Sequence, residues 1–160
     1  MYTVYLETTI FGYLTSRPHR DPVVAGHQQV TQRWWANDRF RYALFVSPAV
    51  IEEISDGDPE AAKERRDAAA GIPVLTRANE IDALAELYFT ELHLPVRARV
   101  DALHLAYAVA FGVDYLATWN MAHIANAETV RKLLRLNRKL NRETPLIVTL
   151  ESLLDPRNAP

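Results

Sequence analysis

Val100-Asp101-Ala102-Leu103-His104-Leu105-Ala106-Tyr107-Ala108-Val109-Ala110-Phe111-Gly112, followed at once by Asp114-Tyr115-Leu116-Ala117-Thr118-Trp119-Asn120, is the stretch that decides the fold. The first part is apolar on nearly every side, begins after Pro95 and closes at a glycine, which predicts a helix buried against a sheet. The second part is a short β-branched and aromatic run, which predicts a strand. A buried helix leading directly into a buried strand is the repeating unit of a parallel α/β protein.

Working outward, the same alternation recurs in both directions. Residues 2 to 6 and Ala43-Leu44-Phe45-Val46 read as strands, as do Ile72-Pro73-Val74-Leu75 and Leu146-Ile147-Val148-Thr149. Helices lie between them. Asp21-Pro22, Ser47-Pro48 and Asp58-Pro59 each place a capping side chain before a proline suited to a first helical turn. Ile81, Leu84 and Tyr88 mark the apolar face of a further helix, and residues 126 to 141 form the last. Right-handed crossovers between about five strands give a three-layer α/β/α sandwich with a central parallel sheet. The 160 residues form one domain.

Composition narrows the function classes. There is no cysteine, so disulfides, thiolate zinc sites and cysteine nucleophiles are excluded. A net charge of −2 gives no overall attraction to nucleic acid, so any such partner has to meet a local basic patch. Met1 to Leu6 reads as a strand rather than a signal peptide, and no apolar run approaches the roughly 20 residues of a membrane helix. A soluble cytoplasmic protein with no membrane partner is the expectation. Gly-rich phosphate loops, His-Glu-x-x-His and Gly-x-Ser-x-Gly are all missing.

What the chain offers instead is oxygen ligands. Glu7 ends the first strand at a Thr8-Thr9 turn, and Asn120 follows the fourth strand, which puts both on the rim where open parallel sheets bind ligands. Asp101 lies in the buried helix, where an isolated charge is costly. Glu53 competes with Glu52 for a place beside them. Together they suit a hard divalent cation, Mg²⁺ or Mn²⁺. Clustered acids repel until a cation neutralises them, and that cation activates water and polarises a phosphoryl oxygen. Plainer readings stand beside this one: Asp101 as an early-turn acid favoured by the helix dipole, Asn120 as a turn residue, His104 as a satisfied semi-buried histidine.

In the order and spacing of Glu7-Thr8-Thr9, Asp101-Ala102-Leu103-His104-Leu105-Ala106 and Asp114 to Asn120, the chain resembles PIN-domain proteins, and within them the VapC-type toxins of type II toxin–antitoxin systems. The similarity runs over essentially the whole length. It implies Glu7, Glu53 and Asp101 as metal ligands, with Asn120 where many members carry a fourth acid. It also implies a Mg²⁺- or Mn²⁺-dependent endoribonuclease silenced by a cognate antitoxin protein. Glu7 departs from the family's usual Asp. Thr8, His104, Thr118, Arg131 and Arg135 are the candidate substrate contacts, the last two opening a basic stripe continued by Arg138 and Arg142. A solvated helix face explains that stripe equally well. The aromatic segment Trp34, Trp35, Phe40 and Tyr42 suggests a homodimer or, more simply, part of the core. The rival functional reading is a non-catalytic PIN-like module that binds RNA or a protein.

Overall fold

The computed structural model describes residues 1–158. Four short parallel strands form its sheet: β1 (Thr3–Leu6), β2 (Ala43–Phe45), β3 (Tyr115–Ala117) and β4 (Leu146–Val148). Their spatial order is β2-β1-β3-β4, with Tyr5 opposite both Phe45 and Leu116, and Leu6 opposite Ala117. Seven α-helices complete the three-layer α/β/α arrangement: α1 (Thr8–Thr15), α2 (Pro22–Asn37), α3 (Pro48–Ile54), α4 (Pro59–Ala69), α5 (Asn79–Glu91), α6 (Arg99–Ala110) and α7 (Ala127–Lys139).

The local chemistry explains where these elements start. Asp21 accepts from the Val23 and Val24 amides, Ser47 from Val50 and Asp58 from Ala61, and in each case proline fills the first turn. α6 stops because Gly112 takes a positive φ of 59°, a conformation that ends helices cheaply only at glycine. The segment after Pro95 enters α6 through a single 3₁₀ turn, Val96–Ala98.

Two expectations need correction. The strand expected at 72–75 reduces to one parallel bridge, Val46 to Val74, held by the Val46 amide on the Pro73 carbonyl and the Leu75 amide on the Val46 carbonyl. Pro73 has no N–H to extend the ladder, so the sheet stops at four strands. And the Thr8-Thr9 turn is the first turn of α1, a helix that the sequence does not advertise. Gly12 and three threonines give it weak intrinsic propensity, and burial of Ile10 and Phe11 decides the matter.

Val4, Tyr5 and Leu6 are fully buried, as the central strand of a parallel sheet covered on both faces requires. Tyr88, Tyr107, Leu105 and Leu116 join them in one core. Trp34 is fully buried too, and Trp35 and Tyr42 pack against the same core, so Phe40, 68 % exposed, is the one strongly exposed aromatic of that segment. Among the described residues no helix is long and apolar enough to cross a membrane.

Candidate metal centre

β1 and β3 are neighbours, yet the chain leaves β1 for β2 on the other side. Their carboxyl ends therefore flank the point where strand order reverses, which is where open α/β sheets leave a crevice. Glu7 and Thr118 are the first residues beyond those two ends, and the Glu7 amide still donates to the Ala117 carbonyl at 3.1 Å. An open cleft of about 530 Å³ lies there, lined among others by Glu7, Glu53, Asp101 and Asn120. The four residues read from the sequence do converge.

Glu7 is only 3 % exposed and caps α1. Its Oε2 accepts from the Thr9 amide at 3.2 Å, the Thr9 hydroxyl at 2.5 Å and the Thr118 hydroxyl at 2.7 Å. Both hydroxyls are fixed in turn by backbone donors, Thr9 by the Trp119 amide and Thr118 by the Asn120 amide. Among the described residues no donor reaches Oε1. Burial pushes the Glu7 carboxyl up, against the lowering effects of His104 and of these hydrogen bonds.

Glu53, near the end of α3, is tied differently. Its Oε2 accepts from the Thr8 hydroxyl at 2.5 Å and from His104 Nε2–H at 2.7 Å. Burial pushes this carboxyl up, but the His104 hydrogen bond and charge and the Thr8 hydroxyl outweigh it and leave it below its ordinary value. His104 is fully buried. Burial disfavours its charged form, yet the Glu53 hydrogen bond and the charges of Glu7, Glu53 and Asp101 raise it overall. Its Nδ1 lies 2.7 Å from the Tyr5 hydroxyl, which lies 2.7 Å from Ser47 Oγ. Ser47, Tyr5, His104, Glu53 and Thr8 thus form one continuous hydrogen-bonded chain from core to cleft.

Asp101 stands apart from that chain. His123 Nδ1–H donates to its Oδ2 at 3.0 Å, and burial raises its carboxyl against the effects of Asn120, His104 and His123. Asn120 Oδ1 accepts from the His123 amide at 3.0 Å, so the side chain closes the turn that presents His123 while lining the cleft.

Glu7, Glu53 and His104 each bring a ligand atom within 4.8 Å of the other two, a group that can hold a metal ion. The expected third member of the closest group, Asp101, is replaced there by His104, while Asp101 lines the same cleft. The donor set fits a hard cation: two carboxylates with one oxygen each left without a donor, and a third close by.

The expected substrate contacts fall in different places. His104 and Thr118 are fully buried and hydrogen-bonded to Glu53 and Glu7, whose carboxylates they hold in place. Arg131 and Arg135 are exposed on α7 but do not line the cleft. Thr8 does line it. The cleft's arginines are Arg17 and Arg65, which sequence reading passed over. Arg17 lies beyond the end of α1 and Arg65 on α4, so only the fold brings either to the cleft. Compared with known proteins, the chain matches no family model and no curated protein.

Proposed function

We propose that the chain is a metal-dependent endoribonuclease of the PIN type, the toxin of a toxin–antitoxin pair in the cytoplasm. One observation carries this reading: three carboxylates from three separate elements line one open cleft at the carboxyl ends of a parallel sheet, and among the described residues no lysine or arginine is paired to any of them. Such a cleft lowers its own electrostatic cost by taking up a cation. Glu7, Glu53 and Asp101 hold Mg²⁺ or Mn²⁺, and the bound ion supplies the Lewis acidity that phosphodiester hydrolysis needs.

The protein's own part is positioning. Thr9 and Thr118 fix one oxygen of Glu7, and His104 with Tyr5 and Ser47 behind it fixes one oxygen of Glu53. His123 and Asn120 do the same for Asp101. Support of this kind behind metal ligands is what keeps a site selective in geometry. A cognate antitoxin covers the cleft, and self-association would rest on Phe40, the one strongly exposed residue of the aromatic segment.

The non-catalytic module draws on Asn120, which closes a turn where a fourth acid would add charge. The deciding experiment is RNA cleavage by purified protein with Mn²⁺ or Mg²⁺, followed by chelation. The enzyme reading expects cleavage that stops on chelation. Metal binding without turnover selects the module, and cleavage that survives chelation removes the metal.

A further inference from the structure

The wall of the cleft opposite the acids has a regular design of its own. Thr9, Tyr13 and Arg17 follow one another at four-residue spacing along α1 and just beyond its end, and all three line the cleft, as does Arg65 of α4. That spacing stacks Thr9 and Tyr13 on one helix face, and Arg17 follows beyond the extended Ser16 that ends α1. Gly12 sits in the same stripe, and a Cβ there would meet nothing within 4 Å, so the groove stays open between the acids and Arg17.

The two arginines are held ready and left unneutralised. Arg65 donates from Nε to the Ile54 carbonyl at 3.0 Å and from a terminal nitrogen to the Asp56 carbonyl at 2.6 Å, which pins it to the turn after α3. Buried Gln28 fixes the loop that carries Arg17, donating to the Arg17 carbonyl at 3.0 Å and accepting from the His19 amide at 2.9 Å. Neither guanidinium forms a salt bridge among the described residues. A neighbouring groove, which Arg17 and Arg65 also line, carries Asp58, Glu60 and Glu64, acids that repel a polyanion from that side. Between acids and arginines stands Tyr13, partly exposed, its ring braced 5.9 Å from both His27 and Trp119.

We infer that this wall is the binding track for a single strand of RNA flanking the cleaved phosphate, with Arg17 and Arg65 on backbone phosphates and Tyr13 against a base. The inference rests on the ribonuclease reading above. Cations that follow a backbone beside an aromatic face are the means by which proteins hold single strands. A duplex turns its bases inward and leaves Tyr13 nothing to stack on. Glu7 lines the cleft yet is only 3 % exposed, which favours a thin single strand over a duplex.

The test is equilibrium binding of a fluorescein-labelled single-stranded RNA of roughly 12 nucleotides to the full chain carrying Asp101→Asn, with Arg17→Ala, Tyr13→Ala, Tyr13→Phe or Arg65→Lys added. Arg17→Ala is expected to weaken binding about tenfold and to flatten the slope of log K against log salt by about 0.7. Tyr13→Ala should weaken it about tenfold with the slope unchanged, while Tyr13→Phe keeps the parent affinity. Arg65→Lys should lose several-fold; among the described residues the Arg17 side chain has no hydrogen-bond or salt-bridge partner, so its variant carries the test whatever Arg65→Lys does to folding. The inference is overturned if the parent binds no single strand, if Arg17→Ala and Tyr13→Ala both bind as the parent does, or if the same sequence held as a duplex binds equally well. RNA held through Arg17 and Tyr13 but never cut by the unmutated chain removes the ribonuclease reading and keeps the track. Metal-dependent cleavage with undiminished binding by both variants does the reverse.

Discussion

At Asp38 and Asp155 the chain buries two carboxylates and supplies two guanidinium groups to match them; at Glu7, Glu53 and Asp101 it gathers three and supplies only histidines. Asp38 meets Arg41 at 3.1 Å and accepts the Asp155 amide at 3.0 Å, while Arg157 closes on Asp155 at 2.7 Å. Hydrogen bonds from Arg157 hold the Asp155 carboxyl well below the usual carboxylate range. In the cleft the direction is opposite for Glu7 and Asp101, both raised by burial. The first arrangement has a guanidinium for each carboxylate and fastens the C-terminal segment to the end of α2. The second is short of positive charge, and that shortage is what a cation makes good.

The comparison breaks most visibly at activity. Glu7→Gln keeps an oxygen for the Thr9 and Thr118 donors but removes the charge, so metal-dependent cleavage should fall by about a hundredfold or more while the metal-free protein melts at a higher temperature. Asp101→Asn should act in the same two directions. Cleavage assays beside thermal melts check both. An Asn or Gln variant that is fully active, or that melts lower without metal, would mean the acids are structural.

Asp38→Ala should reverse the pattern. It strips Arg41 of its partner and the Asp155 amide of its acceptor, at a cost of about 2 kcal/mol, less than for a fully buried pair because Arg41 stays partly in solvent. Denaturant unfolding measures the loss, and cleavage per folded molecule should not change.

Acid and alkali sharpen the contrast further. Glu7, Asp101 and His104 all bind protons more tightly in the folded chain than in the unfolded one, so the stability they add is complete below their unfolded values and is lost as pH rises through the folded ones. Glu53, lowered, works in the other sense and only partly offsets them. Added Mn²⁺ competes with those protons. The rise in melting temperature on adding Mn²⁺ should therefore be larger at roughly pH 8 than at roughly pH 5.5, and equal rises at both would show that protons and cation do not share the site.

The smallest expected effect belongs to the wall facing the acids. Gly12→Ala places a methyl group where nothing lies within 4 Å and improves helix propensity, so α1 should gain about 0.5–1 kcal/mol in chemical denaturation. A loss of stability there would mean that α1 is strained.

How far the sequence carries depends on the kind of signal. Alternation of apolar runs with proline-capped helices is a local pattern, and it yields the parallel three-layer fold and the rim positions of Glu7 and Asn120. Edge pairing is not local: Pro73 looks like part of a strand until the missing donor ends the sheet at one bridge. α1 is invisible because its residues are poor helix formers, and only burial of Ile10 and Phe11 overrides that. His104 is visible as a histidine on a buried helix, but its link to Glu53 joins residues 51 positions apart and depends on how α6 meets α3. Arg131 and Arg135 lie outside the cleft for a similar reason. Spacing gives them a common helix face and says nothing about which side of the sheet that helix covers.

The cation site itself is probed by calorimetric titration of Mn²⁺ into the metal-free protein near neutral pH, beside Glu7→Gln and Asp38→Asn. Saturable binding with proton release is expected in the unmutated chain, with binding lost in Glu7→Gln and unchanged in Asp38→Asn. Equal affinities in all three proteins, or no saturable binding in any, would contradict a cation site built on the unneutralised carboxylates of the cleft.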